Sequence, residues 1–295
     1  MPADTGSLPA ARAGTVTLGG DLTVNRMGYG AMRITGKGIW GPPADREAAL
    51  ATLRRAIELG VNFIDTADSY GPDVSEELIA EALYPYPADL VITTKVGWVR
   101  HGPGVWQHNA SPAHIQQAIE GSLKRLRLER IDVYQLHVPD PATSYDASME
   151  ALAQLKEQGK IRHVALSNVT LEHVKRAQKI VPIVSVQNRY SFNDREWDYV
   201  LDYCESQGIA FLPWGPMAQQ RKANEVVEKI AANRIVSTAV ISLAWLLRRS
   251  PVMLPIPGTS SAEHLEENVG AASFRLTDAE FAEMNAVVPK PYWLR

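Results

Sequence analysis

The chain has 295 residues, of which 30 are Lys or Arg and 33 are Asp or Glu, for a formal net charge of −3; 45% are hydrophobic and 21% charged. This composition lies outside the disordered regime, and a charge near neutrality gives no long-range attraction for nucleic acid or an anionic membrane. The single cysteine, Cys204, excludes an intramolecular disulfide framework and points to a reducing, cytoplasmic compartment.

Residues 1–14 carry no apolar leader-like run and are rich in Pro, Ala, Gly and Ser, which predicts a loose tail ahead of one domain over 15–295. The runs 15–18 and 22–24 around Gly19-Gly20 predict a β-hairpin, placed to plug the bottom of the strand–helix domain after it. A weak strand at 26–31 comes next. Asp45 then caps a periodic stretch that closes at Gly60. Further apolar, β-rich runs lie at 61–65, 90–95, 131–137, 161–167, 183–187, 209–213 and 252–256, as strands buried on both faces require. Helical stretches separate them. Ser111-Pro112 supplies an N-cap with proline in the first turn; Asn193-Asp-Arg-Glu196 and Thr277-Asp-Ala-Glu280 read as capping boxes; Gly159 and Gly208 mark helix ends. The apolar run 236–247 is interrupted by Ser237, Thr238 and Ser242 and ends against Arg248-Arg249, so it reads as a buried amphipathic helix, too short to span a bilayer.

Eight strand–helix alternations predict a single α/β domain, a (β/α)8 barrel. A doubly wound nucleotide-binding sheet would carry G-x-G-x-x-G after its first strand, and here only the fragment Gly28-x-Gly30 occurs. Barrel enzymes place their working residues at the carboxyl ends of the strands. Those ends read Asp65, Lys95, His137, Ser167-Asn168, Gln187 and Trp214, with Tyr70 in the loop after Asp65. Alone, Asp65 and Lys95 would be a structural ion pair and His137 a satisfied barrel histidine. Together, three consecutive strands ending on an acid, a lysine and a histidine point to chemistry. The remaining histidines show no metal-ligand spacing, so no metal is expected.

The chain resembles the aldo-keto reductases through Asn62-Phe-Ile-Asp65-Thr-Ala-Asp-Ser-Tyr70-Gly71, Ile92-Thr-Thr-Lys95 and Asp132-Val-Tyr-Gln-Leu-His137, then Ser167-Asn168, Gln187-Asn188 and Ile256-Pro-Gly-Thr-Ser-Ser261. The resemblance implies a catalytic tetrad of Asp65, Tyr70, Lys95 and His137, with Tyr70 as proton donor to the alkoxide formed from a carbonyl. A tyrosine with its ordinary pKa of about 10 is a weak acid at neutrality, and a neighbouring ammonium is expected to lower that value. His137 would orient the carbonyl oxygen.

The resemblance also implies NADP, with NAD as a second option. It places Ser167, Asn168 and Gln187 at the carboxamide and Phe211 against the nicotinamide ring. Gly30, Ala31 and Met32 would stand at the entrance, with Leu212 and Trp214 on the same strand as Phe211. The segment 257–268 would hold the adenosine 2′-phosphate, with Thr259 and Ser260 as hydroxyl donors and Glu267 and Asn268 at the adenine. Gly258 stands where many relatives have lysine, His264 where many have arginine, and Leu212 where a serine often touches the pyrophosphate. The stretch 217–224 is short for the loop that covers the cofactor in relatives, and the C-terminus leaves no long tail over the pocket.

Tyr29, Trp40, Trp98 and Trp106 predict aromatic walls for a planar or apolar carbonyl substrate. Local stretches at 28–32, 41–43 and 82–86 look most like the bacterial pyridoxal reductases, which implies reduction of pyridoxal. Sugar or alcohol oxidation and ketone reduction use the same chemistry. A different class is open within the same family, the redox-sensing potassium-channel β subunits, although residues 1–14 are too few for an inactivating segment.

Overall fold

The computed structural model describes residues 7–215 and 221–287. In chain order the elements are β1 (Thr15–Leu18), β2 (Leu22–Asn25), β3 (Tyr29–Gly30), α1 (Arg46–Glu58), β4 (Phe63–Asp65), α2 (Val74–Leu83), β5 (Val91–Val96), β6 (Trp98–Gly102), β7 (Val105–His108), α3 (Pro112–Leu126), β8 (Ile131–Leu136) and α4 (Tyr145–Glu157). They continue with β9 (Ile161–Ser167), α5 (Leu171–Ala177), β10 (Ile183–Arg189), α6 (Asp198–Gln207), β11 (Ala210–Trp214), α7 (Arg221–Arg234), α8 (Thr238–Arg249), α9 (Ala262–Gly270) and α10 (Asp278–Val287).

Seven strands form one parallel sheet in the order β11-β10-β9-β8-β5-β4-β3. The segment 252–256, expected as an eighth strand, contributes only a bridge from Met253 to Phe211. It still closes the barrel. Phe211 N donates to Val252 O and Leu254 N to Phe211 O, both at 2.9 Å, while Gly28 N donates to Pro255 O at 2.9 Å and Gly30 N to Pro257 O at 3.4 Å. Pro255 and Pro257 have no N–H to return, so the ladder on that side cannot become regular.

The hairpin β1–β2 pairs Val16 with Val24 and Leu18 with Leu22. These four side chains join Phe63, Val91, Val133, Ala165, Val184, Ala210, Leu212 and Leu254 in one interior cluster. The sheet residues in that cluster come largely from the early parts of their strands. The hairpin therefore seals the bottom of the barrel and leaves the carboxyl ends for a site. A second, larger cluster fills the layer between sheet and helices.

Most helix starts follow their caps. Asp45 accepts from Ala48 N at 2.9 Å, Ser111 from His114 N at 3.3 Å, and Thr277 and Glu280 exchange side chain-to-backbone bonds. The capping box expected at 193–196 does not form: α6 begins at Asp198, and Asn193 instead accepts from Ser191 Oγ in a tight turn. The loose tail expected over 1–14 is corrected at its end, where Pro9–Ala13 is a 3-10 helix with Ala10 buried and its N–H on Leu59 O. Residues 1–6 lie outside the described residues, as do 217–220 of the loop after β11 and the C-terminal residues 288–295. The hairpin β6–β7, after the third barrel strand, is not among the elements expected from the sequence. Among the described residues no single helix is long and apolar enough to cross a membrane.

Leu254 is fully buried where hairpin and sheet meet. Leu254→Ala should lower unfolding free energy by about 2–5 kcal/mol, measured by urea denaturation; a loss below about 0.5 kcal/mol would mean that the bottom cluster is not packed as described.

Candidate active site

The site is assembled from strand ends. Asp65 ends β4, Lys95 is the penultimate residue of β5, and His137 comes directly after β8. Parallel pairing of β4 with β5 and of β5 with β8 holds these ends side by side. Lys95 is fully buried, yet each of its three ammonium hydrogens has an acceptor: Asp65 Oδ2 at 2.6 Å, Thr66 O at 2.7 Å and Tyr70 OH at 3.3 Å. The other carboxylate oxygen, Asp65 Oδ1, accepts from Gln187 Nε2 at 2.7 Å and Gln135 Nε2 at 2.9 Å. A buried ion pair is tolerable when its remaining hydrogen-bonding capacity is met, and here it is.

Gln135 is absent from the residues to which the sequence points. The signal that finds it is parity: it stands two residues before His137, and a period of two puts both on the same face. Gln187, expected at a carboxamide, also braces Asp65; its Nε2 approaches Gln135 Oε1 at 3.5 Å, and its own Oε1 has no hydrogen-bond partner among the described residues. Asn168, with φ of 56°, donates to His137 O and accepts from Trp214 Nε1, each at 3.0 Å, so it ties the histidine strand to the end of β11. The left-handed backbone suits asparagine better than most residues.

Burial pushes the Tyr70 phenol up; the Lys95 ammonium opposes this, and the net direction is upward. The depression expected from lysine alone is therefore outweighed by desolvation, and Tyr70 is a neutral phenol at physiological pH. Burial works against the Lys95 charge, but Asp65 and Tyr70 outweigh it and hold its pKa up. Burial, then the positive charge of Lys95, drives His137 well below the usual imidazole range. His137 is thus neutral, with Nδ1 3.5 Å from Ser69 Oγ and Nε2 without a protein partner among the described residues. A neutral phenol beside an ammonium, with a neutral imidazole near it, can give a proton and a hydrogen bond to one oxygen.

Tyr70 and His137, whose rings meet edge-to-face at 5.8 Å, line a cavity of about 960 Å³ together with Asp65, Ser167, Asn168 and Gln187. Trp98, Trp106 and Val138 form one wall; Gly30, Met32, Arg33, Ile256 and Gly258 another; Trp214 and Gly215 a third. Trp98 and Trp106 both come from the β6–β7 hairpin. Arg100, 3.7 Å from the Trp106 ring, pins that hairpin by donating to Gly38 O, Ile39 O, Ser69 O and Val105 O.

Several expected site residues do not reach the cavity. Phe211 is fully buried against Tyr190 on the helix side of the sheet, because Leu212 pairs with the inward-facing Gln187 and strand alternation turns Phe211 outward. Leu212 belongs to the bottom cluster, and Trp214 alone of the three lines the cavity. Tyr29 is a core residue whose hydroxyl donates to Thr259 O, and Ala31 is buried with its carbonyl accepting from Ser75. Trp40 bridges Gly71 and faces Arg100 at 5.7 Å, packing a loop rather than lining the cavity. Ser260, His264 and Glu267 are exposed and Asn268 is buried, around the start of α9, where the Ser261 side chain caps His264 N. Thr259 Oγ1 accepts from Ser261 N.

The chain matches the aldo/keto reductase family over residues 26–289. It is 49% identical over 281 residues to an uncharacterized oxidoreductase of Schizosaccharomyces pombe, covering 95% of this chain and 91% of that protein. It is 42% identical over 280 residues to pyridoxine 4-dehydrogenase of Escherichia coli, covering 92% and 98%. A crystal structure of an aldo/keto reductase from Klebsiella pneumoniae in complex with NADP and acetate superposes with a TM-score of 0.80 at 27% identity, covering 94% and 96%. The chain belongs to the aldo/keto reductase family, and its site is that of an oxidoreductase working between carbonyl and alcohol.

The ion pair and the pKa directions lead to two outcomes. Lys95→Met should abolish turnover and cost about 3–5 kcal/mol of stability in urea denaturation, because it strands Asp65 in the interior. Adding Asp65→Asn should restore most of the stability and none of the turnover. Tyr70 has a raised pKa, so its proton is present below that value and lost above it. Carbonyl reduction should hold level from about pH 7 to 9 and fall only in strongly alkaline solution; a decline centred near pH 7 in the rate profile would exclude Tyr70 as the donor.

Proposed function

We infer that this protein reduces the aldehyde of a planar ring compound of the pyridoxal type, using NADPH. The observation that carries the reading is that Tyr70 and His137 share one cavity with the indoles of Trp98 and Trp106. The 42% identity to the Escherichia coli pyridoxine 4-dehydrogenase supports that substrate class.

The cavity suits a nicotinamide as well. The Ser167 hydroxyl and the Gln187 carbonyl are available for a carboxamide, and Trp214, rather than Phe211, offers a ring for stacking. Gly30 and Met32 also line the cavity, while Thr259, Ser260, His264, Glu267 and Asn268 belong to the loop and helix expected for the adenosine end. When bound, the reduced cofactor supplies hydride to the carbonyl carbon. The protein's residues manage the proton. Tyr70 holds it at the phenolic oxygen, and the Lys95 ammonium at 3.3 Å stabilises the tyrosinate left after transfer. Asp65 offsets that ammonium so the site gains no net charge before reaction, and Gln135 and Gln187 fix the carboxylate. His137 donates Nε2–H to the carbonyl oxygen. The buried free thiol of Cys204 supports a cytoplasmic setting.

Loss of NADPH absorbance with pyridoxal, compared with aliphatic, sugar and ketone carbonyls, tests the reading. Pyridoxal should give the highest kcat/KM, and Tyr70→Phe should reduce turnover at least a hundredfold while still binding NADPH. Silence across the panel despite NADPH binding would overturn the enzyme reading in favour of a redox-sensing binding subunit. Trp106→Ala should raise KM for pyridoxal about three- to tenfold and leave a small aliphatic aldehyde unaffected, the scale of one lost aromatic contact.

A further inference from the structure

The cavity's charges do not balance, and the imbalance sits in one place. Asp65 is neutralised by Lys95 at 2.6 Å. The other ionised side chain on the cavity wall is Arg33, which is exposed and forms no ion pair or hydrogen bond with any described residue. Most arginines among the described residues are otherwise occupied: Arg26, Arg100, Arg125 and Arg249, for example, each hold carboxylates or several carbonyls. A guanidinium without a protein partner, at the edge of a ligand-sized cavity, is suited to an oxyanion.

Its neighbours explain why the charge is on this residue. The carbonyl of Gly30 and the backbone of Gly258 touch: a Cβ at Gly258 would come within 2.6 Å of Gly30 O, and a Cβ at Gly30 within 2.6 Å of Ile256 O. Both obstacles are backbone, so any side chain at position 258, lysine included, requires the chain to move. The same Gly258 Cβ position lies 3.5 Å from Arg33 Cγ. The Arg33 stem therefore passes over the ground that a side chain at 258 would need. We propose that Arg33 is a phosphate-binding residue of this cavity and supplies to a phosphate of the dinucleotide the positive charge that Gly258 cannot carry. The inference rests on the cofactor reading above, and two phosphates are eligible: the 2′-phosphate of the adenosine and the pyrophosphate bridge.

The test is direct binding. Dissociation constants for NADPH and NADH are measured by isothermal titration calorimetry for the wild type, Arg33→Ala and Arg33→Lys, at low and high salt, alongside the melting temperature without ligand. Arg33 has no partner among the described residues, so the ligand-free melting temperature should not change. Arg33→Ala should weaken NADPH at least tenfold at low salt, with the difference shrinking at high salt and Arg33→Lys recovering part of it. Loss confined to NADPH assigns the contact to the 2′-phosphate; equal loss for NADH assigns it to the pyrophosphate. Tight NADPH binding by the wild type that Arg33→Ala leaves within twofold overturns the proposal alone. Failure of the wild type to bind either dinucleotide overturns the cofactor reading and this proposal with it.

Discussion

The structure depends on burying a lysine. An ammonium taken out of water at the top of a barrel is tolerated only if every one of its hydrogens finds an acceptor and its charge finds a counter-charge. Lys95 obtains the charge from Asp65, one strand away, and the other acceptors from Thr66 and Tyr70 in the loop that leaves Asp65. The stability requirement and the catalytic geometry are therefore one arrangement. A barrel that failed to bring β4 and β5 into parallel register would leave both ions unpaired, and one that succeeds has already placed a phenol beside an ammonium. Desolvation then decides the protonation states. It keeps Tyr70 protonated and His137 neutral, which is the pair of states that a proton donor and a hydrogen-bond donor need.

The parts legible in the sequence are those with a cost attached. Charged side chains at the ends of apolar strands cannot be filler, so Asp65, Lys95 and His137 are conspicuous, and the expected strand at 161–167 coincides with β9 because its apolar run is unbroken. The illegible parts turn on parity or on a missing donor. Phe211 differs from Leu212 by one position, and one position in a strand is the difference between the barrel interior and the helix layer. An aromatic in a β-rich run reads equally well on either face, and only the pairing with Gln187 decides. The run 252–256 is apolar enough for a strand, but Pro255 and the nearby Pro257 cannot complete a ladder, so hydrogen bonds close the barrel without an eighth regular strand.

The β6–β7 hairpin is illegible for a different reason. Its alternation flanks Gly102-Pro103-Gly104, but the run is short and half-exposed, and Trp98 and Trp106 read there as loop aromatics. The hairpin converts them into a defined wall, since antiparallel pairing sets Trp98 opposite His108 and Arg100 opposite Trp106. Arg100 then joins that wall to Ser69, the residue before Tyr70. The substrate side of the cavity and the proton donor are thus fixed to each other through one guanidinium.

The loop that carries Tyr70 is held from beneath as well. Thr66 and Ser75 bond across it at 2.7 Å, Ser75 N donates to Tyr70 O, Asp73 N to Asp68 O, and Ser75 Oγ to the carbonyl of Ala31. Under the loop, Glu76 is fully buried between Thr94 on β5 and Arg125 on α3. Asp68 lies close to this carboxylate, and its pKa is pushed well up, by burial first and by Glu76 second, while Arg125 opposes the rise. Asp65 and Asp68 both oppose the Lys95 ammonium at Tyr70 and hold its phenol more firmly protonated. The upward push on Asp68 favours its neutral form, and that form opposes Lys95 less than the carboxylate does. The groups around the loop therefore act on the tyrosine in two ways: hydrogen bonds fix its position, and the acids set how strongly the Lys95 ammonium is opposed at the phenol.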